Sequence, residues 1–528
     1  MKKNKIPGRP QDIRAGCHFV PARPCSYLYL LIAFLVITSA ITTDVSLEVL
    51  LRRGSRFFDI LRAMVPPDFG FAGQVIKPLV ATVRMSLVGT FMGAVLGLLA
   101  AVCANAYTDP WRGPRFLIKA FIHVFRSIPT LILALVCTFI FGLGTTAGTV
   151  AIAVSTTAIL ARQGYEDMEN TDLTTAAVLE AAGCGRMRAF VRTGLPQIAA
   201  GYVTNVLYIW EANVRHAAIL GYVGAGGIGL LLNERLAFRE YRQTGMILVL
   251  LYILVIITEG TSEWLRLKLV NGIPLSGRVK ALLWGSLPAV FLLCLGAVSL
   301  PETQGSGFRV VNAMAWGLVH PDWSMVFSLE RDGLPYLLYE TFCIAFLGTV
   351  GGALLAAFFS FTGSFRLLPS WAALGPRALL LVLRTIPVVI YGLLWIRVTG
   401  PGPFAGVLTL ALCSVGLLAK RFLIAIDGID LGPWEAQKAA GISVPANLRW
   451  TVLPQLGSRY VTAILYRFDI NIREAAVLGL VGAGGVGTPL ILALMHYAWS
   501  EAGALLWGML LLSALASALS EWNRKKQR

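Results

Sequence analysis

Charge is what this sequence has least of. Only 14% of its 528 residues are Asp, Glu, Lys or Arg, where soluble chains carry about 25%. Histidine is scarcer still, limited to His18, His123, His216, His320 and His496. None of these stands in an HxxxH or HExxH spacing, which excludes the helix-borne zinc sites of metallohydrolases. No GxxxxGK[ST] occurs, so the chain has no Walker-type phosphate loop and no route of its own to ATP hydrolysis by that chemistry. Eight cysteines occur without a CxxC, mostly in or beside apolar runs, where a thiol serves as a small apolar filler. No small-residue cleavage site follows the first apolar run. It reads as a retained anchor behind a basic tail holding Lys2, Lys3, Lys5, Arg9, Arg14 and Arg23.

What is present is apolar. Hydrophobic residues make up 56% of the chain and the mean hydropathy is +0.70. Runs long enough to cross a bilayer predict spans at about 27–45, 78–104, 116–142, 145–162, 195–220 and 243–264. A second series follows at about 281–300, 335–361, 374–398, 404–422, 453–478 and 498–520. The net charge of +17 sits mainly in short segments between these runs, which argues for membrane orientation and against nucleic acid. The positive-inside rule puts the N-terminal tail, Arg112/Arg115/Lys119, the Arg266–Lys280 linker and the Arg524–Arg528 tail in the cytoplasm. "LRRGSRFF" at Leu51–Phe58 then falls outside, as an amphipathic segment along the membrane surface.

The two series are copies. "EANVRHAAILGYVGAGGIG" from Glu211 and "DINIREAAVLGLVGAGGVG" from Asp469 agree at twelve of nineteen positions, 258 residues apart. The same offset relates "RSIP" (Arg126–Pro129) to "RTIP" (Arg384–Pro387), "GLPQ" (Gly194) to "VLPQ" (Val452), and Ser262–Trp264 to Ser520–Trp522. The expected architecture is all-α and polytopic, with about twelve spans as two tandem parallel six-helix repeats about an axis along the membrane normal. The divisions are a basic tail (1–26), a first repeat (27–265), a linker (266–280) and a second repeat (281–528).

Between spans four and five each copy carries a cytoplasmic loop. The second, Glu435–Gln455, suits a short helix, a turn at Gly441 and a second helix ending at a proline-marked re-entry at Pro454. The first repeats the spacing with Gly183 and Pro196, but has Ala177 where the second has Glu435, with Glu180 one helical turn away.

Glu211 and Arg215 stand at i and i+4, as do Asp469 and Arg473, so each pair meets on one helix face. Asn213 and Asn471 add amides. Charges within a span pair up or face a water-filled cavity. Gly224, Gly226, Gly227 and Gly229, with Gly482, Gly484, Gly485 and Gly487, allow either close helix packing or a gate-like bend lining a passage. Arg126 lies about ten residues into its expected span, roughly 15 Å from the cytoplasmic end, where an unpaired arginine costs at least ~2.5 kcal/mol. Two such arginines, Arg126 and Arg384, either converge on an anion or pair with neighbouring carboxylates.

Two resemblances follow. The loop with Glu435, Ala436, Gly441 and Pro454, and its counterpart with Glu180, Gly183 and Pro196, resembles the EAA loop of bacterial ABC-importer permeases, which docks on the ATP-binding subunit. Together with "RSIP"/"RTIP" and the doubled N-[VI]-R…G-A-G-G-[VI]-G string, the chain from about residue 75 resembles the permease subunit of phosphonate ABC importers, two copies fused. The resemblance implies a type I importer-like membrane domain in a bacterial cytoplasmic membrane, multi-pass, with both termini cytoplasmic. It also implies a phosphonate, phosphite or phosphate ester as substrate, an extracytoplasmic phosphonate-binding protein and two ATP-binding subunits. ATP and Mg would sit on those partners, leaving this chain without cofactor, metal or catalytic residues. The competing expectation is a secondary transporter of small organic anions with two six-helix halves, which needs no duplicated docking loop.

Overall fold

The computed structural model describes residues 26–108, 112–270, 306–365 and 369–527. Among them every regular element is a helix. A first set runs α1 (Ser26–Thr42), α2 (Leu47–Arg53), α3 (Ser55–Ala63), α4 (Ala72–Ala104), α5 (Arg112–Ser127), α6 (Thr130–Phe141), α7 (Thr145–Glu169), α8 (Thr174–Ala181), α9 (Arg186–Leu220), α10 (Ile228–Ala237) and α11 (Tyr241–Val270). A second runs α12 (Ser306–Val319), α13 (Trp323–Phe327), α14 (Leu334–Thr362), α15 (Ser370–Thr385), α16 (Val388–Thr399), α17 (Pro403–Asp427), α18 (Gly432–Ala439), α19 (Val444–Asn447), α20 (Leu453–Gly479), α21 (Gly487–Met495) and α22 (Trp499–Gln527).

Five of these helices, α4, α11, α14, α17 and α22, are long and apolar enough to cross a membrane, and up to nine spans result if each of four bent pairs is one crossing. The expected spans 145–162 and 453–478 coincide with α7 and α20, whose polar and charged residues keep them outside that group. The expected span 281–300 lies outside the described residues.

Two expected spans are corrected. Residues 116–142 and 374–398 are not single straight helices: α5 and α6 meet at 96°, α15 and α16 at 92°. Proline is the cause. Pro129 and Pro387 have no N–H to continue the preceding helix, and each bars the residue before it from helical geometry. Helix α6 instead restarts with Ile132 and Leu133 donating to the Pro129 carbonyl. The basic residues of α5 recur at helical spacing, with Lys119 bonded to Glu169 of α7 at 2.7 Å. Phe116, Leu117 and Phe121 stand exposed, as suits a lipid-facing stripe.

Small residues set the closest packing. Gly89, Gly93 and Gly97 form a stripe on α4 where a Cβ would collide with Ile152, Thr156 and Leu160 of α7. Gly348 and Gly352 of α14 meet Leu410 and Ser414 of α17 in the same way. Without side chains between them the backbones approach closely and gain dispersion contact, which in lipid replaces the hydrophobic drive.

The two sets interlock. Helix α1 packs on α14, and α12 on α6. Phe57 of α3 stacks on Trp395 of α16 at 4.5 Å, so the segment expected along the membrane surface is partly seated on the other set. One buried cluster includes Leu131 and Leu133 of α6 with Ile390, Tyr391 and Leu394 of α16. Arg397 of α16 donates to the Leu236 carbonyl at the end of α10.

Candidate functional site

Helices α9 and α20 carry most of the singled-out polar residues, and their two amides do the same job. Asn213 donates to Thr90 of α4 and Thr156 of α7, both at 2.8 Å. Asn471 donates to Thr349 of α14 at 2.8 Å and Ser414 of α17 at 3.0 Å. Asn213 is 4% exposed and Asn471 0%. With both amide hydrogens taken up by hydroxyls of two other helices, each amide pins three helices together.

The charged residues on the neighbouring face form a belt between the sets. Glu211 receives Arg215 at 3.0 Å, has Arg266 of α11 at 3.9 Å, and has Arg384 of the second set at 4.0 Å. Arg384 also bonds Glu259 of α11, which in turn lies 3.9 Å from Lys420 of α17. On the other side Arg473 grips Asp469 with two nitrogens at 3.2 and 3.0 Å, and Ser517 of α22 donates to the same carboxylate at 2.8 Å. Arg126 has Arg162, Arg473, Asp469 and Glu166 as its charged neighbours. Arg384 thus reaches the acid–arginine helix of the opposite set, and Arg126 has that helix's Asp469 and Arg473 among its charged neighbours.

Arg126 is the last residue but one of α5. Its neighbour Arg162 is seven residues before the end of α7 at Glu169, about 10 Å by helical rise. The belt lies toward the end of the bundle that carries the α8–α9 and α18–α20 loops.

The glycine clusters are turns. Gly224, Gly226 and Gly227, and likewise Gly482, Gly484 and Gly485, have φ between +72° and +90°, where a Cβ is strained. Each turn is locked to its own set: Gly144 donates to Gly224 and Gly402 to Gly482, while Ile228 donates to Thr82 and Val486 to Thr341. A Cβ at Gly229 or Gly487 would overlap the carbonyl oxygen of Ala218 or Ala476. These contacts pack the turns closely against their own helices.

The α8–α9 loop turns at Gly183 with φ +89°, and the α18–α19 loop at Gly441 with φ +75°. The expected proline-marked end of the second helix is corrected. Pro196 lies inside the continuous 35-residue helix α9, a rod of about 50 Å. In the second set a π-helical stretch, Leu448–Val452, joins α19 to α20 and absorbs the donor that Pro454 lacks. Glu180 accepts from the Tyr107 hydroxyl at 3.1 Å with Arg186 at 3.9 Å. Burial and that bond hold the tyrosine's proton above its usual range. Glu435 and Ala436 are exposed, as are the nearby apolar Val444 and Trp450; Val178 and Val191 are exposed in the first loop.

Sequence reasoning missed Glu259, Lys420, Arg162 and Ser517, and the buried Arg467–Glu474 pair at 2.6 Å. A signal existed for one pair of positions: Arg162 and Lys420 are also 258 residues apart, a cation kept in both apolar spans. Glu259 gave none, because its counterpart is the uncharged Ser517.

An all-helical body with membrane-length apolar helices is that of a multi-pass membrane protein. The family described as "binding-protein-dependent transport system inner membrane component" matches residues 93–261. A phosphate-import permease protein of Mycolicibacterium smegmatis is 28% identical over 505 residues, 93% of this chain and 92% of that one. A phosphite transport system permease protein of Stutzerimonas stutzeri is 32% identical over 45% of this chain and 85% of its own length. A putative cryptic phosphonate transport system permease protein of Escherichia coli K12 is 34% identical over 22% of this chain and 97% of its own. The chain belongs to the permease family of phosphonate-type ABC importers, and it matches a relative over nearly its whole length.

Proposed function

We propose that this chain forms the entire membrane passage of an importer for phosphonate or a related phosphorus oxyanion, such as phosphite or a phosphate ester. In this reading it is two tandem six-span repeats, with both termini in the cytoplasm. An extracytoplasmic binding protein delivers the anion. Two separate ATP-binding subunits dock on the α8–α9 and α18–α20 loops and drive alternating access, and they hold the ATP and Mg.

The observation that carries this reading is the belt. Arg384 crosses to Glu211 of the other set, and Arg126 has Asp469 and Arg473 of the other set as charged neighbours, so in this reading a passage between the sets is walled by guanidinium groups suited to oxyanions. The relatives' phosphate, phosphite and phosphonate names support the substrate class. The loops supply the drive. Helix α9 runs unbroken from Arg186 beside its loop to Glu211 and Arg215 in the belt. Displacing the loop therefore moves the belt as a rigid lever, separates the sets there and lets the anion leave toward the cytoplasm.

ATP-dependent uptake tests this. The chain is reconstituted in vesicles with its ATPase and binding protein, and methylphosphonate, phosphite, phosphate and an amino acid are compared. Uptake of at least one phosphorus oxyanion well above the amino acid is expected. Preference for the amino acid would refute the substrate class and leave the importer architecture standing.

A further inference from the structure

The two bend arginines occupy equivalent positions, yet their surroundings differ at one decisive residue. Around them Arg162 corresponds to Lys420, Glu211 to Asp469 and Arg215 to Arg473, each pair 258 residues apart. At the remaining position the first set has Glu259 and the second has Ser517. We propose that Arg126 is the one bend guanidinium open to a passing oxyanion, whereas Arg384 is committed to Glu259 as a latch between the two helix sets. This rests on the reading of the belt as an anion passage.

The geometry argues each half of the statement. Arg384 is 12% exposed, bonds Glu259 and keeps Glu211 at 4.0 Å, so two carboxylates from the other set hold it. Lys420 and Arg215 complete a cluster in which every cation has a carboxylate within 4 Å. In the opposite cluster the acids are already taken. Asp469 is used by both nitrogens of Arg473 and by the Ser517 hydroxyl, and Glu166 receives Arg162 at 2.7 Å. Arg126 has neither an ion pair nor a hydrogen bond among the described residues, and its buried Nε has no partner. Arg126 is half-buried, and an Nε–H withdrawn from water without an acceptor is costly. A diffusible oxyanion with two or more oxygens supplies the missing acceptors as a bidentate pair. Losing Glu259 in one set and keeping it in the other leaves one arginine available for substrate and the other neutralised.

The test uses the reconstituted complex, with each variant retained only if it co-purifies with its ATPase. Arg126→Ala is expected to lower methylphosphonate or phosphite turnover, at saturating loaded binding protein, by about tenfold or more. Arg126→Lys, which keeps the charge and loses the fork, is expected to lie between. Ser517→Glu places a carboxylate where the first set has one, and is expected to impair uptake as severely as Arg126→Ala. The latch is read by charge exchange. Arg384→Glu alone impairs uptake, and combining it with Glu259→Arg restores most of it, because an ion pair is rebuilt with its poles reversed. Wild-type uptake in Arg126→Ala or Ser517→Glu would overturn the anion assignment, and failure of the exchange to restore uptake would overturn the latch. If wild type carried only the amino acid, the substrate reading and the anion assignment would fall together, and the exchange, read on amino-acid uptake, would still decide the latch.

Discussion

Asn213 shows how much one side chain in this molecule decides. Its amide holds Thr90 and Thr156 from two other helices, and both of those threonines are themselves buried. Replacing it with alanine removes two hydrogen bonds and leaves two hydroxyl oxygens without a donor. Asn213→Ala is expected to destabilise the chain by about 1–3 kcal/mol, toward the low end because membrane hydrogen bonds average less than buried bonds in water-soluble cores. A lowered thermal midpoint of the purified chain in detergent checks this. The control is Arg52→Ala, whose partner Glu48 forms an exposed pair, and it is expected to move the midpoint within error. An equal loss in both variants would mean that the amide is not an anchor. That amide was readable from the repeat as a polar group kept at one helix position in both copies; whether it faced a passage or a packing seam was not. The threonine partners come from segments 57 and 123 residues away, and nothing local announces them.

At the scale of elements, the glycine-rich turns and the proline bends determine where helices begin again. Gly487→Ala puts a methyl group into the Ala476 carbonyl oxygen, so the α20–α21 turn must open. The expected cost is about 1–3 kcal/mol, as for other overpacked sites. Gly201, in the middle of α9, has nothing within 4 Å of an added Cβ. There alanine is expected to stabilise the helix by about 0.5–1 kcal/mol. Opposite signs in thermal midpoint are the result to look for, and a neutral Gly487→Ala would show that the turn has slack. The proline bends carry a second lesson. "RSIP" and "RTIP" were legible as paired motifs with a kink, yet hydropathy merged α5 with α6 and α15 with α16, because a sliding window registers apolar residues and not the direction of the axis.

Across the whole molecule, interlocking is the property that no stretch of sequence displays. Helix α1 belongs to the first set by chain order and to the second by contact. Phe57–Trp395, Arg397 on the Leu236 carbonyl and Arg384 on Glu259 all tie one set to the other. Two chains covering residues 1–270 and 271–528, expressed together, are therefore expected to co-purify. Adding Trp395→Ala and Arg384→Ala to the second chain is expected to reduce the yield of the pair several-fold. Separate elution of the unmodified halves would show that the linker, and not the packing, holds them together.

The sequence by itself determined the class of the molecule and its doubling. Composition demanded lipid, hydropathy placed most helices, and the 258-residue offset identified which residues correspond, because these are local or additive properties. Tertiary structure decided which corresponding residues act alike. Asn213 and Asn471 remain equivalent because their partners also repeat. Arg126 and Arg384 do not, because Glu259 and Ser517, from helices far along the chain, give one arginine a carboxylate and leave the other without. An ionic group's partner is set by distance and dielectric in the packed state, and both exist only once the helices have come together.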